Sequence, residues 1–231
     1  MGFDFSPAWI SIKITLVSTV IIFFLGIAIA WRMSNYKGRW QGLLDGLLTL
    51  PLVLPPTVVG FALLLLIGVN GPVGKLFALF NVKLVFTWYA AAFASVIVAF
   101  PLMYKTARGA FEQIDPNILN AARSLGVSER KIFWRVTVPL ARPGIAAATA
   151  LAFARSLGEF GATMMVAGNI PGKTQSIPIA IYYAAQNNDT RTSLIWVTII
   201  FVISLVVLVM LNNMNRKNAR KRLGAGGAEW N

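Results

Sequence analysis

The amino-acid sequence predicts an all-α membrane protein with about five transmembrane helices. Of the 231 residues, 57% are hydrophobic and only 13% are charged, whereas soluble domains carry about a quarter charged residues. Roughly 20 residues cross a bilayer as a helix, and uncharged runs of about that length or longer occur at 14–31, 46–74, 84–104 and 192–215. These runs lack the polar–apolar alternation that strands of a membrane barrel need. Helices are therefore the predicted spanning elements.

The basic residues are concentrated in alternate connections. The first connection, the long third connection and the C-terminal tail are basic, whereas the second and fourth connections carry two basic residues each. Because Lys and Arg favour cytoplasmic loops, we predict an external N-terminus, a cytoplasmic C-terminus and a first span that is retained rather than cleaved as a signal peptide. The net charge of +13 is then explained by loops close to anionic lipid heads and not by nucleic-acid binding.

The second uncharged run contains three prolines, Pro51, Pro55 and Pro56. Each lacks a backbone donor and frees carbonyl groups upstream, and such irregular backbone is tolerated at membrane depth only against protein or a watery cavity. Both a packing kink among neighbouring helices and a position beside a transport pathway fit this pattern. Gly60, which follows, permits a close approach of another helix.

A fifth candidate span, 143–168, contains Arg155 and Glu159. Arg155 lies twelve residues, or about 18 Å of helix, from Pro143, which predicts a position near the middle of the membrane. The i, i+4 spacing places the two side chains on one face. An isolated charge at the bilayer centre costs at least ~2.5–3.5 kcal/mol, so the two are expected to pair and to face inward. A structural ion pair and the wall or gate of a pathway both remain open.

Several chemistries are excluded by residue types that the sequence lacks. The chain has no Cys and no His, which excludes disulfides, thiol chemistry and metal sites with His or Cys ligands. A Gly-rich phosphate loop of the Walker type is also missing, so the chain is not expected to hydrolyse nucleotide by that route.

Two segments near the C-terminus do not fit an ordinary span. Residues 174–188 are uncharged but too few to cross the membrane, and we predict an external or partly re-entrant segment that is broken at Pro178. Residues 216–231 form a basic segment, predicted to be a cytoplasmic tail that anchors the chain at the lipid surface.

The polar stretch 118–144 predicts two short amphipathic helices joined at Gly126. Asp115 and Pro116 form a helix start, after which Ile118, Ala121, Ala122 and Leu125 follow at the spacing of one apolar helix face. Gly126 is a typical helix stop, Ser128 is placed to cap a second helix, and Pro139 is expected to end it. From the residues alone, docking in a groove of another protein and lying on the membrane surface remain equally open.

This stretch resembles the cytoplasmic signature loop of ABC importer permeases. The family pattern is Glu-Ala-Ala, three residues, Gly, nine residues, Ile, one residue and Leu-Pro, and its spacing is kept here with Asn for Glu and Val for both Ile and Leu. The resemblance implies that the first short helix docks on a cytoplasmic ATPase. The implied coupling residues are Asn120, Ala121, Ala122, Arg123, Leu125, Gly126, Val136 and Pro139.

Two further stretches, 50–66 and 151–182, are similar to bacterial molybdate permeases and, more weakly, to sulfate and thiosulfate permeases. The resemblance implies one permease domain over 1–215 with a coupling loop at about 106–142, located in the inner membrane as a homodimer. It also implies an external oxyanion-binding protein and an ATPase dimer that uses ATP-Mg, with no catalytic residue, cofactor or metal in this chain. Molybdate, with tungstate as its near-isostere, is the first expected substrate and sulfate the second.

Candidate pathway or gate residues come from the proline-rich and charged stretches. They are Pro55, Pro56, Thr57, Arg155, Ser156, Glu159 and Thr163. A gradient-driven transporter or channel, which would use the charged pair for ion coupling, and a membrane scaffold without transport are the alternatives.

Overall fold

The computed structural model describes residues 4–226 by their backbone and residues 4–210 by their side chains. Within that part of the chain every regular element is helical. In chain order the helices are α1 Ser6–Asn35, α2 Gln41–Val53, α3 Pro56–Ile67, α4 Pro72–Ala78, α5 Trp88–Glu112, α6 Pro116–Ser124, α7 Glu129–Ile132, a π-helical turn Phe133–Thr137, α8 Val138–Leu157, α9 Gly161–Ala167, α10 Ile177–Gln186 and α11 Thr190–Gly226.

The predicted membrane-spanning architecture is confirmed. Four helical stretches are long and apolar enough to cross a membrane, and α2 with α3 forms a fifth span if the bent pair is counted as one. The four stretches are Ser6–Asn35, Trp88–Glu112, Glu129–Leu157 and Thr190–Met210.

Helix α5 is the centre of the bundle. Its buried face is rich in alanine, and such small side chains let neighbouring helices approach closely. One core cluster packs the first half of α5 against α1, α3 and α9, and a second packs its other half against α1 and α8. Met103 and Tyr104 are fully buried in the second cluster.

The second span is not one continuous helix. Helix α2 contains Pro51 and ends at Val53, and α3 begins at Pro56 with its axis turned by 109°. Leu54 is extended between them, with φ −72° and ψ 140°. This is the conformation that the residue before a proline favours, because the proline ring clashes with a helical neighbour.

The span Glu129–Leu157 is the fourth in chain order when α2 and α3 are counted as one. It departs from the predicted range, 143–168, at both ends. It begins at Glu129, because Pro139 does not end the second short helix and Pro143 lies inside α8. The π-helical turn precedes Pro139, and the Val138 amide bonds five residues back to Phe133, which gives the helix room to pass a residue without a donor. The span also stops early, at Leu157, so that Arg155 lies in the last turn of α8 and not in the middle of a continuous helix.

The segment before α11 forms the short helix α10. Pro178 lies in its first turn and does not break it, as expected for a residue whose missing amide would be unpaired there. Ten residues make about 15 Å of helix, too short for a span. Helix α11 continues through Gly226, so the predicted basic tail starts as helix, while residues 227–231 and all side chains from 211 lie outside the described residues.

Helix α3 packs closely on α9 at Gly60. A Cβ atom added at Gly60 would lie 2.7 Å from the Ala162 Cα and 2.9 Å from the Met165 Cβ. The neighbour at Gly60 is therefore backbone, which cannot rotate away as a side-chain tip can. This is the close helix approach that a glycine at this position permits.

We expect Gly60→Ala to destabilise the protein, because the added methyl group forces α3 away from α9. Overpacking of this kind costs about 1–3 kcal/mol, which thermal unfolding of the purified protein in detergent would report as a lower midpoint. Gly46→Ala is the matched control, since an added Cβ there has no atom within 4 Å and Ala favours helix by ~1 kcal/mol over Gly. Equal midpoints for both variants would contradict a tight α3–α9 contact.

Candidate coupling loop and pathway residues

Helix α6 is capped at both ends by local bonds. The Asp115 side chain accepts a hydrogen bond of 2.8 Å from the Asn117 amide. At the other end Gly126 has φ +74°, its amide bonds to Arg123, and the Val127 amide bonds to the Ala122 carbonyl. These two bonds form a Schellman motif, which needs a residue in the left-handed conformation. The predicted helix start and stop are confirmed, and both ends of α6 are set by residues within one turn of it.

The apolar face of α6 has no buried residue. Leu125 is 82% exposed and Ile118 is 45% exposed, and Ala121 is also exposed, while Ala122 is half-buried. A capped helix whose apolar side chains lie outside the core of its own chain is typical of a helix that binds in a partner's groove.

Arg123 joins α6 to α7. Its guanidinium pairs with Glu129 at 2.7 Å (Nε–Oε1) and donates a 3.0 Å hydrogen bond to the Asn120 Oδ1. Hydrogen bonding to Glu129 raises the pKa of Arg123. Asn120, which stands in place of the glutamate of the family pattern, thus has a partner within the loop.

The last two coupling candidates lie away from α6 along the chain. Val136 belongs to the π-helical turn and Pro139 to the first turn of α8, and both are half-buried. In the same stretch the Phe133 ring packs 4.6 Å from Trp31 and 6.5 Å from Phe111. These contacts hold the start of the fourth span against α1 and α5.

Arg155 and Glu159 pair across the break between α8 and α9. Their atoms Nη1 and Oε2 are 2.7 Å apart, which confirms the predicted pairing. The other carboxylate oxygen of Glu159 accepts a 2.8 Å hydrogen bond from the Ala162 amide, in the first turn of α9. Glu159 is 3% exposed, whereas the Arg155 side chain is 27% exposed. The positive charge lies at a helix C-terminus and the negative charge at a helix N-terminus, and both placements are favourable.

The two breaks of the membrane spans lie against each other. A Cβ atom added at Gly161 would lie 3.1 Å from the Pro56 Cβ and 3.3 Å from the Thr57 amide. The start of α3 and the start of α9 are therefore in direct contact. Pro55 and Thr57 are exposed next to this contact, and Pro56 is half-buried.

The two remaining pathway candidates are buried hydroxyl residues. Thr163 is 2% exposed, and its hydroxyl donates to the Phe160 carbonyl at 2.9 Å, so it is used within its own helix. Ser156 is 3% exposed, and its hydroxyl oxygen has no hydrogen-bond partner in the described part of the chain.

A polar cluster that the sequence interpretation missed joins α2 to α5 near the coupling loop. The Asp45 Oδ1 accepts hydrogen bonds of 2.7 Å from both the Tyr104 hydroxyl and the Arg108 Nη1, and the Arg108 Nε pairs with Glu112 at 2.6 Å. The i, i+4 spacing of Tyr104, Arg108 and Glu112 along one helix face was available as a signal. Asp45, at the edge of an uncharged run, gave none.

The described side chains, residues 4–210, contain no group of three or more acidic residues that could hold a metal ion. The carboxylates of Glu159 and Asp45 are engaged with Arg155 and Arg108 instead.

Several known permease proteins are similar to this chain over most of its length. The protein described as "Putative molybdenum transport system permease protein YvgM" of Bacillus subtilis (strain 168) is 43% identical over 209 residues, 90% of this chain and 92% of YvgM. The molybdenum transport system permease protein ModB of Escherichia coli (strain K12) is 38% identical over 223 residues, 94% of this chain and 97% of ModB. The sulfate transport system permease protein CysT of the same organism is 34% identical over 216 residues, 92% of this chain and 78% of CysT.

The fold also matches solved structures. A chain from a bacterial ABC transporter involved in the import of the acidic polysaccharide alginate superposes with a TM-score of 0.77 at 16% identity, over 92% of this chain and 78% of that one. The sequence pattern of the family described as "Binding-protein-dependent transport system inner membrane component" matches residues 22–220. The chain therefore belongs to the family of binding-protein-dependent transport system inner membrane components.

Proposed function

We propose that this chain is the non-catalytic transmembrane subunit of an ATP-driven oxyanion importer, working by alternating access at the interface of a homodimer. The observation that carries the proposal is α6: its ends are fixed by Asp115 and Gly126, and none of its residues is buried by the described part of the chain. A gradient-driven transporter or channel has no need for such an element.

The substrate we propose is molybdate, with tungstate as its near-isostere. Support comes from the similarity to ModB, which extends over 94% of this chain at 38% identity. The sulfate permease CysT is similar at 34%, and sulfate import is therefore the second candidate function.

The proposed partners are a cytoplasmic ATPase dimer, which binds and hydrolyses ATP-Mg, and an external binding protein that delivers the anion. Each α6 of the homodimer would dock in a cleft of one ATPase. Leu125 and Ile118 supply its apolar contacts, and the small Ala121 and Ala122 let the helix backbone approach the cleft closely.

The breaks in the second and fourth spans are the proposed wall of the anion pathway. Irregular backbone at membrane depth is expected only where it is buried in protein or lines a watery cavity. Thr57 is exposed beside the break and Ser156 keeps a free hydroxyl, so hydroxyl groups are present there. The charge of Arg155 is neutralised by Glu159, which favours passage of an anion over tight binding.

The complex of permease, ATPase and binding protein, reconstituted into vesicles, should transport labelled molybdate only when ATP is present on the side of the membrane that bears the coupling loop. Unlabelled tungstate should compete strongly and sulfate weakly. Uptake driven by an ion gradient without ATP would contradict the importer proposal, and stronger competition by sulfate than by tungstate would contradict the substrate.

Gly126→Val should weaken ATPase attachment or uncouple hydrolysis from uptake. Nothing lies within 4 Å of an added Cβ, so the effect is conformational: a left-handed residue other than Gly costs about 1–2 kcal/mol, and Val is β-branched. Gly126→Asn should be tolerated, since Asn adopts this conformation more readily. The measurements are bound ATPase and stimulated hydrolysis with the purified, tagged permease.

Gly172→Val is the matched control, because Gly172 also has a positive φ, +71°, and open space around it, in the connection predicted to be external. It should carry the same local strain without affecting the ATPase.

Ala122→Glu tests the docking face directly by adding a bulky charge. Normal coupled uptake in both Gly126→Val and Ala122→Glu would contradict a role of α6 in coupling. Loss of both variants from the membrane would show that α6 and α7 mainly anchor the fold at the lipid surface.

Arg155→Leu should cost stability or transport, because Glu159 then keeps a charge in a buried position without a partner. Breaking a buried pair from one side costs about 3–5 kcal/mol, and the partial exposure of Arg155 places the expected loss near the lower end. Adding Glu159→Gln should restore part of it, since the amide oxygen still accepts the bond from Ala162. Thermal unfolding and uptake are both measured, and a single variant with parental values in both assays would contradict the pair's importance.

A further inference from the structure

A large apolar groove lies on the outside of the bundle, away from the breaks. It has a volume of about 660 Å³ and runs between α1 and the stretch formed by the π-helical turn and α8. Its floor and walls are aromatic and aliphatic, with Phe23, Phe24 and Ile27 on one side and Trp134, Val138 and Ile145 on the other. Phe24 and Trp134 are 66% and 60% exposed.

Two arginines, Arg32 and Arg142, line the same end of this groove. The opposite end is set by Thr149, whose hydroxyl lies 4.0 Å from the Met103 sulfur, while the Met103 side chain packs on Gly26. Thr149 and Gly26 are therefore at one level. From there α1 runs forward six residues to Arg32 and the antiparallel α8 runs back seven residues to Arg142, or about 9–10 Å in each case.

Neither arginine has a carboxylate partner among the described side chains, residues 4–210. Among the described side chains, the salt bridges involve Arg108, Arg123 and Arg155 but not Arg32 or Arg142. Both arginines are exposed, and they lie at the end of the molecule that bears the coupling loop. Trp31, next to Arg32, also lines the groove, and tryptophan is enriched where a membrane meets water.

The dimensions of the groove match one leaflet of a bilayer. From Phe23 to Arg32 it follows nine residues of α1, about 13 Å, and half of a ~30 Å hydrocarbon core is about 15 Å. The only hydroxyl in its wall, on Thr149, is already bonded to the Ile145 carbonyl at 2.8 Å. A cationic end joined to an apolar groove of this length complements a molecule with one anionic head and a long hydrocarbon tail.

We propose that an anionic phospholipid of the leaflet on the coupling-loop side binds in this groove. Its phosphate lies between Arg32 and Arg142, and one acyl chain packs along Phe23, Phe24 and Ile145. The lipid would then fill the space between α1 and the helix that leads from the coupling loop to Arg155, so it contributes to holding the fourth span in place.

The test is native mass spectrometry of the purified full-length chain in detergent, titrated with phosphatidylglycerol or phosphatidylethanolamine of identical acyl chains. The parent should retain phosphatidylglycerol preferentially. Arg32→Gln and Arg142→Gln should each lower the ratio of bound phosphatidylglycerol to phosphatidylethanolamine about fivefold, the factor that corresponds to ~1 kcal/mol per basic residue at a membrane surface. Ala146→Phe, which fills the apolar wall, should lower retention of both lipids.

Arg39→Gln is the matched control, because Arg39 is exposed in the connection just after α1 but stacks on Trp40 and does not line the groove. An equal loss in Arg39→Gln would overturn the proposal in favour of a general surface charge. Displacement of the lipid by excess soluble glycerol phosphate would show a site for a free anion and overturn the acyl-chain contact. A shift from dimer to monomer in the arginine variants, without a change in lipid ratio, would show that a second copy of the chain covers the groove.

Discussion

A membrane-spanning chain must satisfy its backbone polar groups internally, and two spans of this protein are broken. The break before α3 meets this constraint with Pro55 and Pro56, which have no amide donors, while the Pro55 carbonyl accepts bonds from two amides of α3. The break before α9 meets it with the Glu159 carboxylate, which accepts the Ala162 amide and pairs with Arg155. At the first break the prolines reduce the number of amide donors that need a partner. At the second, the Glu159 carboxylate supplies an acceptor for an amide at the start of the helix that follows.

Because the two breaks touch, the helices on either side of them are grouped in space. Helix α3 is held to α9 through Gly60 and Gly161, whereas α2 is held to α5 through the bonds between Asp45 and Arg108. The Leu54–Pro55 bend is thus the link between a part of the molecule tied to the coupling-loop end and a part tied to the charged break. Helix α5 is followed by α6 after a three-residue connection, so α6 and the bend are linked through α5, the polar cluster and α2.

The features that sequence predicted well are those encoded by short-range chemistry. Uncharged runs gave the spans, and the Asp115 cap and the Gly126 stop gave both ends of α6, because capping depends on residues within one turn. The i, i+4 spacing gave the pair of Arg155 and Glu159. The failures arose where several conformations satisfy the same local pattern. Pro139 is a common helix end, yet a π-helical turn lets the chain continue, and that choice depends on Trp31 and Phe111 holding Phe133 from other helices.

The charges of the described side chains are separated along the molecule in a way that bears on anion transport. At the breaks the arginine is paired with a buried carboxylate, so the proposed pathway wall presents hydroxyl groups and a neutralised ion pair, not a free cation. Arg32 and Arg142, which have no carboxylate partner among the described side chains, line the apolar groove between α1 and α8 at the coupling-loop end, on the outside of the bundle. Transport requires that a site bind its ion strongly enough to admit it and weakly enough to release it. If the proposed pathway passes the breaks, an unpaired arginine there would trap a divalent oxyanion, and pairing with Glu159 would avoid this. Glu159 also accepts a hydrogen bond from the first turn of α9. The same carboxylate therefore stabilises the break between α8 and α9 and, in the proposed pathway, would limit how tightly an anion is held.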